Sequence, residues 1–336
     1  MQKVLYPIAG FIALLVLVGL VLPRHARVQV ATTIDAYPAT VFALVNDLRR
    51  VRMWSPQFDA DPNARVVHSG PARGVGSSMT WDGSIIGTGT QMISESQPYE
   101  LVVSKINAGE SGAATSWFAL VAAGDATTVS WSFETDYGFN IVGRYFALFL
   151  RGIVERDYAL GLAGLKNLAE SLPRADFSDI EIEQLVVEAA DIAYLPTTSD
   201  PEPAAISAAM GDAYFEILSF IDENNLAEAG APMSIMRSFS GAQLLFDSAI
   251  PVRGDLAATP RNAAVKIGRS FAGSVVRVRH VGSYRTLATT HRKISAYLAA
   301  LGIERAGDAW ESYVSDPTKV SESELLTYVY YPINSS

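Results

Sequence analysis

The sequence predicts an α+β chain: one N-terminal transmembrane helix, a many-stranded sheet followed by one long helix, and then a duplicated β-α-β-β pattern. Three observations carry this. Residues 4–22 (VLYPIAGFIALLVLVGLVL) hold no charge. Residues 26–172 read as a strand, a short helix, glycine-punctuated strands and one long helix with an apolar stripe. Residues 180–332 show strand, helix and paired strands twice over. With 336 residues, 49% hydrophobic and 18% charged, the chain can fill about two packed cores. It has no Cys, which removes disulfides, zinc–thiolate sites, iron–sulfur clusters and Cys nucleophiles together. No cofactor or metal is expected. The net charge of -9 argues against nucleic acid as a partner, since phosphates require a basic footprint.

The apolar span comes first. Lys3 precedes it, and Arg24, His25 and Arg27 follow it. About 20 apolar residues cross a bilayer core as a helix. Soluble helices rarely lack a polar face over that length. A buried core helix and a cleaved signal peptide are the competing readings. The run is longer than a usual signal core, and no small-x-small cleavage site stands before Arg24. Pro7 falls in the first turns, where proline disrupts least. Residues 1–23 are therefore read as an uncleaved single-pass anchor, in a bacterial inner membrane. Lys3 and the amino terminus stand against Arg24, Arg27, Arg49, Arg50 and Arg52, a bias too small to fix which side the body occupies.

The remainder splits near Pro173. Residues 24–173 carry a charge of -2 and residues 174–336 a charge of -8. Trp54, Trp81, Trp117 and Trp131 all fall in the first part.

In the first part, residues 26–34 (ARVQVATTI) alternate apolar and polar, as a half-buried strand does. A turn at 35–38 leads into helical spacing at Val41, Phe42 and Val45, with Pro38 suited to a first turn. Strand-like runs follow at 78–82, 90–96, 99–106, 114–121 and 127–135. The last places Val129, Trp131 and Phe133 on one face. His68 lies in a polar, loop-like stretch. Residues 141–172 read as a helix whose stripe runs through Phe146, Phe149, Leu150, Ile153, Tyr158, Leu162, Leu165 and Leu168.

The pattern Val28-x-Val30-x-x-x-Ile34-Asp35-Ala36-x-Pro38-x-x-Val41-Phe42-x-x-Val45-x-Asp47, with Trp54-Ser55-Pro56, resembles the opening of START-like (SRPBCC, polyketide cyclase/dehydrase-like) domains. Gly87-x-Gly89, Pro98-x-Glu100, Thr128-Val129-x-Trp131 and Gly161-Leu162-x-x-Leu165-Lys166 fit the later landmarks. The resemblance implies a helix-grip fold with a cavity for an apolar ligand, and it implies no particular activity. Trp81, Trp117, Trp131 and Phe133 are the candidate lining, although strand aromatics also serve as ordinary core. No catalytic acid–base pair has diagnostic spacing here.

In the second part, 180–187 and 190–195 read as strands, and 196–203 (PTTSDPEP) as a soft break. Residues 204–228 form a helix with Ile206, Met210, Tyr214, Ile217, Phe220 and Ile221 at spacings of three and four. Two runs within 232–252 flank Ser240-Gly241 as a hairpin. A strand at 274–280 turns into a helix bearing Leu287, Ile294, Leu298 and Leu301, stopped by Gly302. His291 is read with Arg292 and Lys293 on the solvated face. Residues 309–315 and 325–332 close as strands.

His280-x-Gly282-x-Tyr284-x-x-Leu287, Trp310-Glu311-x-Tyr313 with Asp316-Pro317, Glu324-Leu325-x-Thr327 and Phe246-Asp247-x-x-Ile250-Pro251-Val252 resemble the GyrI-like, or AraC-type effector-binding, domain. Ser283 stands where that family commonly has proline, which loosens the turn. The resemblance implies a cleft in which Glu311 meets cationic aromatic ligands, with Tyr313, Tyr284 and Trp310 as neighbours. A carboxylate among aromatic faces selects organic cations by charge and by cation–π attraction, about 0.5–2 kcal/mol per contact. Strand alternation sets Glu311 and Tyr313 on one face and Trp310 on the other. His280 is read as ordering the strand–helix turn.

The leading reading is a non-enzymatic, membrane-anchored binder of small hydrophobic or cationic amphiphiles. The alternative is a hydrolase with Glu311 as base. A transcription regulator is the third reading, and no helix-turn-helix unit accompanies it.

Overall fold

The computed structural model describes residues 2–108, 112–259 and 264–334. The side chains of residues 2–9, 149, 150 and 258 fall outside that description, and Phe149 and Leu150 of the predicted stripe with them. The chain divides into two compact units, Met1–Asp176 and Phe177–Ser336.

The first unit opens with α1 (Gln2–Val21), whose described side chains are mostly exposed. Then come β1 (His25–Ile34), α2 (Pro38–Val45), a 3₁₀ turn at Leu48–Met53 and α3 (Pro56–Ala60). Six strands follow: β2 (Arg65–Ser69), β3 (Ser78–Gly83), β4 (Gly87–Gln97), β5 (Leu101–Asn107), β6 (Ala113–Ala123) and β7 (Ala126–Asp136). The unit ends in α4 (Ile141–Ser171). The sheet is antiparallel in the order β1-β7-β6-β5-β4-β3-β2. His68 therefore sits on the edge strand β2, opposite Met79, rather than in a loop. A five-residue edge strand with one partner shows little apolar alternation, so its sequence reads as loop.

The helix stripe is only half core. Tyr158, Leu162, Leu165 and Ala169 are buried, whereas Phe146 and Ile153 are 48% and 54% exposed. Length explains this. The 31-residue α4 runs about 46 Å, and even an 11-residue strand about 36 Å. Its first turns meet α1 instead. The buried Arg144 donates from Nη1 to the carbonyls of Gly19, Leu20 and Leu22 at 3.3, 2.8 and 3.2 Å. These are groups at the helix end that lack intrahelical donors.

The second unit runs β8 (Ile182–Val187), β9 (Asp191–Ser199), α5 (Pro203–Glu223), β10 (Ala227–Glu228), β11 (Met233–Phe239), β12 (Leu244–Arg253), β13 (Lys266–Arg269), β14 (Gly273–Val281), α6 (Leu287–Leu301), β15 (Trp310–Tyr313) and β16 (Leu326–Pro332). The strand order is β13-β9-β12-β11-β15-β16-β14-β8, with β10 pairing β12. This order is palindromic: β8-β9-α5-β11-β12 and β13-β14-α6-β15-β16 are equivalent halves. The first strands are exchanged, since β8 pairs β14 and β13 pairs β9. The predicted soft break is strand as far as Ser199, through Pro196. At Pro196 the strand is paired only to β12, because β13 reaches no further than Tyr194, and an unpaired edge tolerates proline.

α5 is apolar and long enough to cross a membrane by length and composition. Its Ala213, Ile217, Phe220 and Ile221 are buried, and it packs on β9 and β12. Gly302, at φ 64°, closes α6 in the left-handed conformation that glycine adopts without strain. The face away from the helices holds its own cluster of Ile192, Met233, Ile235, Ala249, Val275 and Trp310.

Candidate functional site

The centre of the second unit's sheet is the pair Ser234 on β11 and Glu311 on β15, directly opposite each other. The internal symmetry makes these two positions equivalent, so one half contributes a serine and the other a carboxylate. Period-two alternation turns Glu311 and Tyr313 toward the helices and Trp310 away. On that far side Trp310 stacks on Tyr330 at 4.7 Å and belongs to the cluster there. The structure thus separates Trp310 from Glu311, although they adjoin in sequence.

Both carboxylate oxygens are engaged. His291 Nε2 lies 2.8 Å from Oε1, and the Tyr313 hydroxyl donates to Oε2. His291 Nδ1 lies 2.8 Å from the Tyr331 hydroxyl. His291 and Glu311 side chains are only 20% and 13% exposed. Tyr284, in the 3₁₀ turn Tyr284–Thr286, sets its ring edge-on to Tyr313 at 5.4 Å. Tyr214 of α5 donates to the Met233 carbonyl at 3.0 Å. Thr327, opposite Tyr313, is fully buried and its Oγ1 has no partner.

The tyrosines are held protonated. Burial first, and then the charge of Glu311, push the hydroxyls of Tyr214, Tyr284 and Tyr313 above their ordinary value. Burial also raises Tyr331, with a smaller contribution from Glu311. The arrangement is a carboxylate held by a histidine and a tyrosine, with further aromatic rings around it.

His291 was misplaced by its charged neighbours. Its spacing from Leu287, Ile294 and Leu298 is four, three and seven, which is the buried stripe of α6. Tyr214 likewise shares the stripe of Ile217 and Ile221, and only its hydroxyl sets it apart from core. His280 holds the turn ahead of α6: Nδ1 lies 2.8 Å from Thr290 Oγ1, and Nε2 lies 3.2 Å from the Ser283 carbonyl. Ser283 does not loosen that turn. Its hydroxyl caps the Arg285 amide and donates to Glu322.

In the first unit the predicted lining divides between the two faces of the sheet. Trp131 lies between Tyr158 at 3.7 Å and Phe118 at 4.7 Å, and its indole N–H donates to Ser116 Oγ at 2.8 Å. Phe133 meets Tyr158 edge-on at 6.4 Å. Trp81 is buried in the same core cluster. Trp117 is on the opposite face, beneath the Arg27 guanidinium at 5.3 Å, because Ser116 and Phe118 take the inward positions of β6. Gly161 permits the aromatic stack: a Cβ there would lie 2.6 Å from Trp131 Cζ3. Among the described residues no three His, Asp or Glu side chains gather as a metal site.

Residues 25–170 match the family described as polyketide cyclase / dehydrase and lipid transport. Residues 180–334 match the GyrI-like small molecule binding domain. No curated protein matches the chain. Among solved structures, the EcmrR C-terminal domain is 12% identical, with a TM-score of 0.38, covering 47% of this chain and 99% of that one. A hydrolase from Listeria innocua is 16% identical, with a TM-score of 0.33, covering 46% and 92%. The Aha1 dimer from Colwellia psychrerythraea is 18% identical, with a TM-score of 0.32, covering 43% and 96%.

Proposed function

Because the chain joins a polyketide cyclase and lipid transport domain to a GyrI-like small-molecule-binding domain, we propose that it captures or senses apolar or cationic amphiphiles at a membrane. The observation that carries this is the Glu311 carboxylate, 13% exposed and surrounded by Tyr313, Tyr284 and Tyr214. A half-buried carboxylate with aromatic neighbours favours an organic cation, whose charge it offsets and whose faces the rings cover. The 19 uncharged residues of 4–22 support membrane anchoring. The -8 charge of residues 174–336 supports a cation over a nucleic acid. Native mass spectrometry of the full chain purified from cells tests the reading. A copurifying organic cation, lost in Glu311→Gln, is the expected result; the same copurifying species in both proteins would remove Glu311 from the account.

A hydrolase is the second reading, and the His291–Glu311 contact at 2.8 Å favours it. A carboxylate aligned by an imidazole can take a proton from water. Product formation from a panel of electrophilic small molecules, lost in Glu311→Gln, would establish it.

A further inference from the structure

We infer that the interior of the first unit binds an apolar carboxylic acid, with Arg50 as the counter-charge to its head group. Arg50 lies on the 3₁₀ turn Leu48–Met53, between buried Leu48 and Val51, and is only 9% exposed. Its Nε is buried without a hydrogen-bond partner. Asp47 acts on it by charge alone, because the Asp47 oxygens accept from the Arg49 amide at 2.9 Å and from Arg73 Nε at 3.2 Å. Arg73 adds a second positive charge that Arg50 feels. The Nε is thus desolvated without a partner, a cost that an anion set against the guanidinium would offset.

Two further donors share the condition. Trp54 Nε1 and Trp81 Nε1 are buried without partners, each on a side chain 5% exposed, and both belong to the core cluster that includes Leu48 and Val51. The turn carrying Arg50 packs against β3, which carries Trp81, and against α4. All three orphaned groups are N–H donors, whereas the neighbouring Trp131 N–H is satisfied by Ser116. A carboxylate is the complement to such a set, since it accepts at several lone pairs and donates nothing. The apolar cluster around the donors suits a hydrocarbon or aromatic body. This site is separate from Glu311 and takes the opposite charge, so either assignment stands or falls without the other.

The test uses the full chain and two fluorescent probes, dansyl-undecanoic acid and its methyl ester. The acid is expected to bind about tenfold tighter than the ester. Arg50→Gln should bring the acid down to the ester's affinity and leave the ester unchanged. Trp54→Phe and Trp81→Phe, which keep a ring and lose the donor, should each weaken the acid by about threefold. Without ligand, Arg50→Met should raise Tm, because it removes a buried donor that has no partner. Equal binding of acid and ester, no binding of either, or unchanged acid affinity in Arg50→Gln would overturn the inference. So would tighter binding of undecyl phosphate than of the acid, or a lowered Tm in Arg50→Met, which would make Arg50 a structural residue.

Discussion

His291 Nε2 reaches Glu311 Oε1 at 2.8 Å, while the other imidazole nitrogen meets the Tyr331 hydroxyl at 2.8 Å. The ring is thereby fixed at both ends and holds the carboxylate from above the sheet, as Tyr313 holds it along the strand. Replacing His291 by Leu keeps the bulk on the α6 stripe and frees one carboxylate oxygen. Affinity for a cationic dye should fall by about three- to tenfold, because Glu311 keeps its charge and loses its orientation. Fluorescence titration of the two proteins checks this.

The aromatic stack of the first unit allows a contrast between two tryptophans. Trp131 lies within 4.7 Å of both Phe118 and Tyr158 in the core, whereas Trp117 covers Arg27 on the outer face. Trp131→Ala should cost about 3–5 kcal/mol of unfolding free energy, and Trp117→Ala about 1 kcal/mol or less. Urea unfolding followed by circular dichroism measures both.

Gly161→Ala sets two effects against each other. Alanine gains about 1 kcal/mol of helix propensity within α4. Its Cβ would also sit 2.6 Å from Trp131 Cζ3, and that ring is held between two others and has no room to retreat. Overpacking outweighs propensity, for a net loss of about 1–2 kcal/mol. The same urea titration decides the sign.

Tyr158 gives a pH dependence with a defined window. Burial raises its hydroxyl from 10.0 to about 12, against a smaller opposing effect of its hydrogen bond with Ser116. A group that holds its proton more tightly when folded adds stability below the unfolded value and loses it as pH rises through the folded one. Wild-type stability should therefore decline more steeply between pH 10 and 12 than that of Tyr158→Phe. Parallel slopes in the two proteins would contradict the assignment.

The long alternating strands and the helix stripes were legible because each repeats one period over several residues, whereas the cluster Trp310-Glu311-x-Tyr313 was legible only through its resemblance to the GyrI-like motif. The shortest edge strands were not: β2 has five residues and β13 four, too few for a period to register. Among site residues, Glu311, Tyr313 and Tyr284 could be read from sequence, while His291 was hidden by Arg292 and Lys293 although the α6 stripe already included it. Trp117 illustrates the converse: it is aromatic and lies on the right strand, yet one step along a pleat puts it on the far face, a placement that alternation had already given for Trp310. Arg50 had no signal of its own: with Arg49 and Arg52 it counted only toward the orientation bias, and burial alone singles it out within Leu48–Met53.

The central claim is that Glu311 makes the second unit a receptor for organic cations. Its most direct test is a titration of the full chain and its Glu311→Gln variant with a cationic aromatic dye and an uncharged dye of the same shape. The account predicts that the variant binds the cation about ten- to thirtyfold more weakly and the uncharged dye equally well. Equal affinity of both proteins for the cation would contradict it.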